Sequence, residues 1–323
     1  MERNNRLFFI FIVLGMYFFS VSFLLAGQIL WPKKMVVSVS VADVRHKPEK
    51  PSKLSYEELD WHQTTQLLFG ERILAVGQKG GWLQVKALEQ KIFVDGTWRE
   101  CDGWIQANQA RAVSQYPRCN LVVTKPWTYV YAFDEKKREK KKIFSPVSLG
   151  TRLLGRKCGE DWWEVQLINK KKGFINSRSV RLISTKNKSS EQLRAGIFKT
   201  AELFLGVPYL WGGRSFHNKT FKKQWTSVDC SNLTHLCYRC FGIDIPRNTR
   251  SQYQACRKIK KKPMAGDLIF ISSKNDPSAI YHVLLYGGSD RLVDAKSTLF
   301  GKKIKKVIKS IGEKRFGKHV ERL

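Results

Sequence analysis

Apolar and polar residues alternate through much of the first half of the chain, and a period of two predicts β-strands. Ile73 and Ala75, then Trp82 and Val85 with Leu83 between them, flank a Gly-Gly turn. The block recurs: residues 70–85 read GERILAVGQKGGWLQV, and residues 150–165 read GTRLLGRKCGEDWWEV. In both copies twelve residues lead from glycine to tryptophan, Gly70 to Trp82 and Gly150 to Trp162. Each copy is followed by a glycine–aromatic–isoleucine triplet, Gly103-Trp104-Ile105 and Gly173-Phe174-Ile175. An internal repeat of short strands and tight turns predicts two small all-β barrels, at residues 38–113 and 119–185. Their aromatic residues are expected to serve mainly as core.

A polar stretch, KNKSSEQ at 186–192, ends this pattern. Beyond it Leu193, Ile197, Thr200, Ala201 and Phe204 recur at helical spacing, and Gly206 closes the helix before Val207-Pro208. A second helix is predicted from Ser231 to Cys240, ending at Gly242. The runs DLIFIS (267–272), YHVLLY (281–286) and LVDA (292–295) then read as strands. Helices followed by strands predict an α+β domain over 191–323.

The N-terminus has a different pattern. Residues 7–27, LFFIFIVLGMYFFSVSFLLAG, hold no charge and follow a short basic start. That is the form of an export signal, and the run is also long enough to span a bilayer uncut. Ala26-Gly27 offers a fair cleavage position, so both a cut signal and a retained anchor stay open. No cysteine lies in or just after the run, which excludes a lipid-modified N-terminal cysteine. The rest of the chain is expected outside the cytoplasmic membrane, in the periplasm or cell envelope.

Charge narrows the partners. Lys and Arg total 58 against 27 Asp and Glu, a net +31. Such a surface favours polyanions, including anionic envelope polymers and lipid. The basic residues fall in runs at 135–142, 257–262 and 302–309, whose plainest role is solvated loops and strand ends. No groove-reading motif accompanies them, and export removes nucleic acid as a ligand.

Four chemically versatile side chains lie within eleven positions: Cys230, His235, Cys237 and Cys240. Cys237-Tyr-Arg-Cys240 has the spacing of half a zinc site, but no second pair lies at a suitable distance. On a helix these two thiols share a face with Leu233 and Leu236, as buried structural cysteines do. No metal and no cofactor is expected. Cys230 is placed differently, because Asp229 precedes it and the apolar spacing begins only at Leu233. It therefore falls in the first helical turn, where free N–H groups and the dipole favour an anion. A thiol there ionises more readily, and the thiolate is the nucleophile. His282 is the candidate base, on a strand that turns at Gly287-Gly288-Ser289-Asp290 and returns as RLVDA. With the hairpin centred at Gly288, His282 faces Asp294, whose carboxylate would orient the imidazole. Cys101, Cys119 and Cys158 lie among the barrels, and their pairing is not readable from sequence.

Five segments follow one another in order: Pro208-Tyr-Leu-Trp-Gly-Gly213, Asp229-Cys-Ser231, Pro246-Arg247 with Gln252, Gly266-Asp-Leu-Ile-Phe270, and His282-Val with Tyr286. Their types and spacing over residues 193–300 resemble the NlpC family of cell-wall cysteine endopeptidases. With two barrels ahead, the outline is similar to the branch with N-terminal bacterial SH3-like domains, which cuts γ-D-glutamyl-diaminopimelate bonds in peptidoglycan stem peptides. The resemblance implies a papain-like cysteine peptidase domain behind two SH3-like barrels. It implies Cys230 as nucleophile and His282 as base, with Tyr209 lining the site. It also implies that Asp229 and Ser231 contact the peptide, Asp229 at its free amino terminus, with Thr249 as a further contact. Barrels that narrow the cleft would admit only peptides beginning with L-alanine.

Three departures stand out. The third polar position, often histidine in the family, is Asp294; Asn232 replaces a glycine after Asp-Cys-Ser; Leu284 replaces a glycine after His-Val. Residues 216–228 also form a longer basic stretch near the nucleophile. An inactive wall-binding protein and an amidase or acyltransferase are the other readings the sequence leaves open.

Overall fold

The structure is a computed structural model describing residues 31–51, 59–134, 139–142, 146–168, 171–184, 189–221, 224–259, 262–273, 275–289, 291–295, 304–308 and 320–322. The apolar run at 7–27 lies outside the described residues, as do Asp290 and residues 186–188 of the polar stretch. Among the described residues no helix is long and apolar enough to cross a membrane.

The repeat read in the sequence appears as a repeat of topology. The first sheet holds β1 (Lys33–Val37), β2 (Val41–Arg45), β3 (Gln63–Leu68), β4 (Arg72–Lys79), β5 (Trp82–Val94), β6 (Thr97–Gln106) and β7 (Ala110–Ala112), ordered β3-β2-β6-β5-β4-β1-β7. The second is built from β8 (Leu121–Val123), β10 (Tyr131–Asp134), β11 (Glu139–Lys142), β13 (Arg152–Cys158), β14 (Trp162–Gln166), β15 (Lys172–Asn176) and β16 (Val180–Leu182). Its order is β11-β10-β15-β14-β13-β8-β16, the same arrangement strand for strand. The short pair β9 (Trp127–Thr128) and β12 (Val147–Ser148) stands apart from it. Both sheets place a 3-10 turn before their last strand, at Ala107–Gln109 and Ser177–Ser179. Each wraps its own apolar cluster, one around Val44, Ile73, Val85 and Ile105, the other around Leu121, Leu153, Val165 and Ile175. The first sheet starts at Lys33 rather than 38, because β1 pairs with both β4 and β7.

The alternating spacing explains the strands, and the paired glycines explain the turns. Gly70 and Gly150 both adopt positive φ, +77° and +85°, a region that favours glycine. Gly150 has a second reason to lack a side chain, since a Cβ there would stand 2.7 Å from Leu236 of the next domain.

The C-terminal part has three helices, α1 (Ser190–Glu202), α2 (Cys230–Arg239) and α3 (Thr249–Ala255). Ser189 caps α1 in a capping box with Gln192. The helices pack on a six-stranded sheet of β17 (Arg257–Lys258), β18 (Leu268–Ser272), β19 (Ile280–Tyr286), β20 (Arg291–Ala295), β21 (Ile304–Ile308) and β22 (Val320–Arg322). Its order is β17-β22-β18-β19-β20-β21. The apolar core beneath α2 takes in Val41 and Leu68 of the first sheet and Leu149 beside the second. The three parts therefore share one buried interior around the helix that carries Cys230.

A buried ion cluster ties them together. Arg239 of α2 donates to Glu89 at 2.7 Å and lies 3.1 Å from Glu71, while Arg214 donates to Glu71 at 2.7 Å. Both arginines are fully buried. Arg239 also donates to the backbone oxygen of Gly150 at 2.9 Å, so one guanidinium holds both β units to α2. Burial opposes the charge on Glu89, yet Arg239 and Arg72 hold its carboxyl down at about 2.

Candidate active site

Asp229 has extended backbone geometry and caps α2, accepting from the Asn232 backbone N–H at 2.7 Å. That cap fixes Cys230 as the first helical residue. The N–H of Leu233 bonds to the Asp229 carbonyl at 2.9 Å, so the N–H groups of Cys230 and Ser231 are the ones the helix itself leaves over. Asn232, the departure from glycine, is wholly buried and donates to Gly213 O at 2.9 Å, tying the helix start to the Gly212-Gly213 turn.

His282 lies on β19 beside this helix start. Its Nε2 is 2.6 Å from Asp294 Oδ1. Since Nε2 is engaged by the carboxylate, Nδ1 is the ring nitrogen left to serve the sulfur. Burial pushes the imidazole down, but the bond to Asp294 and the nearby negative charge of Cys230 and Asp294 lift it to about 10.

The contact with Asp294 arises differently from the sequence expectation. Leu285 pairs with Val293 and Tyr286 with Leu292, and Gly287 N–H bonds to Arg291 O at 2.8 Å. The hairpin therefore closes between Gly287 and Arg291, and its register is centred one residue later than Gly288. Continuing that register sets Leu284 opposite Asp294, and His282 meets the carboxylate diagonally. Side chains two apart share a sheet face, and diagonal neighbours are within reach of long side chains, so the hydrogen bond survives the shift.

The remaining expected residues also converge. Thr249 Oγ1, at the start of α3, is 3.6 Å from the Cys230 sulfur. Tyr209 is buried and bridges to Val228, just ahead of Cys230. Burial, reinforced by the negative charge of Cys230 and Asp229, drives its phenol far above the ordinary value, so it stays a neutral donor. Ser231 Oγ donates to Asp229 at 3.0 Å. Arg247, which was noted in the sequence only as part of a motif, donates to Asp229 Oδ2 at 2.9 Å, to Ser231 Oγ at 3.1 Å and to Thr64 O at 2.6 Å.

These side chains line a cavity of about 520 Å³. One of its walls comes from the first β unit: Trp61, Gln63, Thr64 and Cys101. Trp61 stands at the rim, 61% exposed, edge-on to Trp211 with ring centroids 4.5 Å apart. Linear spacing held no signal for this wall, because more than a hundred residues separate it from Cys230.

The other candidates are structural. Cys237 and Cys240 are buried, and burial pushes both thiols up, that of Cys240 to about 12. Burial and the nearby Arg214 and Arg239 hold His235 well below the ordinary imidazole value, so it is neutral. Its Nε2 accepts from Arg214 at 3.1 Å. Among the described residues no His, Cys, Asp and Glu cluster has the form of a metal site.

Comparison with known proteins agrees with this geometry. Residues 206–321 match the model of the NlpC/P60 family. The C-terminal part of the chain is thus an NlpC/P60 domain. A gamma-D-glutamyl-L-lysine dipeptidyl-peptidase of Bacillus subtilis (strain 168) is 26% identical over 236 residues, 72% of this chain and 72% of that protein. A protein of the same name from Bacillus cereus (strain ATCC 10987 / NRS 248) is 26% identical over 234 residues, 71% of this chain and 66% of that one. The crystal structure of an NlpC/P60 family protein from Bacillus cereus ATCC 10987 superimposes with a TM-score of 0.73 at 21% identity, covering 90% of this chain and 99% of the other. The shared fold thus extends well beyond the NlpC/P60 domain to both β units.

The charge balance at His282 yields a prediction. Asp294→Asn is expected to lower kcat/KM by about 10²- to 10⁴-fold, because the imidazole loses both its orientation and its main source of basicity. In the native protein the imidazolium persists until pH rises through about 10, so the alkaline limb of a kcat/KM profile should lie near there. In Asp294→Asn the limb should move to lower pH. A pH–rate series on both proteins checks the shift.

Proposed function

We propose that this chain is an exported cysteine endopeptidase that hydrolyses the γ-D-glutamyl-diaminopimelate bond of peptidoglycan stem peptides. The observation that carries the reading is the Cys230–His282–Asp294 array at the start of a helix, with Cys230 and His282 lining the cavity. Family membership supports the cysteine peptidase class, and the two relatives are named for action at a γ-D-glutamyl bond. Those names specify L-lysine as the next residue. Diaminopimelate adds a carboxylate to that residue, which suits the net charge of +31 and Arg250 beside the cavity.

In this mechanism the Cys230 thiolate attacks the γ-carbonyl carbon of D-glutamate. The Cys230 and Ser231 N–H groups hold the oxyanion; losing one such donor typically costs ~3 kcal/mol of barrier. As the C–N bond breaks, His282 gives its proton to the departing amine. In the thioester the sulfur is uncharged, so part of the lift on His282 disappears and the imidazole can take a proton from water. The hydroxide adds, the C–S bond breaks, and the thiolate and imidazolium are restored. Thr249 and Tyr209 border the sulfur and the peptide.

The proposal includes the division into SH3-like barrels at 38–113 and 119–185 and a peptidase domain at 191–323. Export, by a cut signal or an anchor at 7–27, belongs to it as well, since the substrate lies outside the cytoplasmic membrane. To test it, the full-length chain is incubated with stem tripeptides bearing diaminopimelate or L-lysine, beside the His282→Ala variant. Release of diaminopimelate by the native chain alone is expected. Undiminished hydrolysis by the variant would overturn the assignment.

A further inference from the structure

A second wall of the cavity is built by α3 and β19. Three consecutive residues of β19 line it, Ile280, Tyr281 and His282. A regular strand alternates its side chains and would not present all three to one space. The strand is not regular there. Ile271 pairs with His282 and Ser272 with Ile280, so Tyr281 is the extra residue of a β-bulge. A bulge re-aims a side chain, and this one leaves Tyr281 64% exposed. Its ring lies 6.5 Å from that of His282, stacked at 27°.

Arg250 of α3 supplies the charge on this wall. It lines the cavity as an exposed residue, and its Nε donates to Ile280 O at 3.4 Å. That bond leaves the two terminal nitrogens of the guanidinium, which can only donate. The Asp276 carboxylate nearby is held by the Ser278 hydroxyl at 2.6 Å and the Ser278 N–H at 2.9 Å, and it feels Arg250 only through its charge. Chemistry decides which part of a substrate meets this wall. His282 gives its proton to the departing amine, so the leaving residue lies on the His282 side of Cys230. From His282 back to Ile280, where Arg250 is anchored, a strand advances roughly 6–7 Å. An extended diaminopimelate side chain covers that span.

We infer that Arg250 and Tyr281 form the subsite of the leaving residue and select diaminopimelate over lysine. Both residues end in an ammonium, but diaminopimelate sets a carboxylate beside it. The guanidinium receives that carboxylate through a charge-assisted hydrogen bond. Lysine brings the ammonium alone, and the guanidinium repels it. Tyr281 covers the methylenes that both side chains share. Solvent screens an exposed guanidinium, which keeps the selection modest. The inference rests on the γ-D-glutamyl reading above and deepens it, from the bond that is cut to the residue beyond it.

The test compares kcat/KM of the full-length chain on three substrates: L-Ala-γ-D-Glu-diaminopimelate, the same peptide with the far carboxylate amidated, and L-Ala-γ-D-Glu-L-Lys. The diaminopimelate peptide is expected to exceed each of the others by about tenfold or more. Equal cleavage of the acid and its amide by the native chain would overturn the inference while leaving the endopeptidase reading intact. Cleavage of none of the three would remove that reading, and the inference with it. Arg250→Met should lower the diaminopimelate-to-lysine ratio about tenfold, and Arg250→Glu should lower it further, because a carboxylate there attracts the lysine ammonium. Hydrolysis of either peptide reports an intact fold. An unchanged ratio in Arg250→Met would overturn the inference. An equal loss on both peptides would do the same, by assigning Arg250 to a group they share, the α-carboxylate of D-glutamate. Tyr281→Ala should raise KM for both peptides by about threefold or more. An unchanged KM would overturn its part in the subsite.

Discussion

Cys230→Ala is expected to lower kcat on the stem tripeptide by about 10⁴-fold or more, with the fold unchanged. No neighbouring group can replace the sulfur. Thr249, 3.6 Å away, offers only a hydroxyl, and the imidazole is committed to Asp294. Of the other cysteines, Cys237 and Cys240 point into the core with thiols raised by burial. Cys101 borders the cavity, but burial pushes its thiol to about 11, which leaves it a poor nucleophile at neutral pH. Cys237→Ala is the matched control, expected to cost about 1–3 kcal/mol of stability through a small cavity while kcat stays within a few-fold. Steady-state assays on both variants, with circular dichroism to verify folding, check the contrast. Residual hydrolysis by Cys230→Ala within tenfold of the native rate would contradict the nucleophile assignment.

Arg239→Met is expected to destabilise the protein by about 3–5 kcal/mol, more than any single apolar truncation around it. The guanidinium is fully buried and satisfies Glu89, Glu71 and the Gly150 carbonyl together. Removing it leaves Glu89 without its main counterion and Glu71 with Arg214 alone, and it breaks the polar link between both β units and α2. Adding Glu89→Gln to Arg239→Met should recover part of the loss, since an uncharged amide tolerates the interior better. The native protein should also show an acid limb. Glu89 has its folded value depressed, so its contribution is full above about 4.5 and disappears as pH falls through about 2. Urea unfolding of the three proteins, with the native chain repeated at low pH, measures these effects. A loss below 1 kcal/mol in Arg239→Met would show that the cluster does not hold the parts together.

The contrast between these two residues explains what the sequence makes legible. Cys230 was readable because helix capping is local: Asp229 ahead of it and Leu233 after it define the first turn within five residues. The repeated sheet was readable because its turns need glycine at Gly70 and Gly150, and its strands need alternation. The His282–Asp294 pairing was half readable, since the hairpin is local but its register is centred one position later than Gly288. Helix α3 escaped notice because its buried face is polar, made of Thr249, Ser251 and Gln252, so no apolar period marks it. The ion cluster and the barrel wall of the cavity were invisible for a stronger reason. Glu71 and Arg214 are 143 positions apart, and Gln63 is still more remote from Cys230; only the docking of whole domains brings them together.

The most direct test of the central claim is hydrolysis of the stem tripeptide in water enriched in oxygen-18, followed by mass spectrometry of the fragments. A thioester at the γ-carbonyl opened by water predicts one labelled oxygen in the γ-carboxylate of D-glutamate and unlabelled diaminopimelate with its amine free. Release of alanine, transfer of the acyl group to another amine, or label at any other carboxylate would contradict the account.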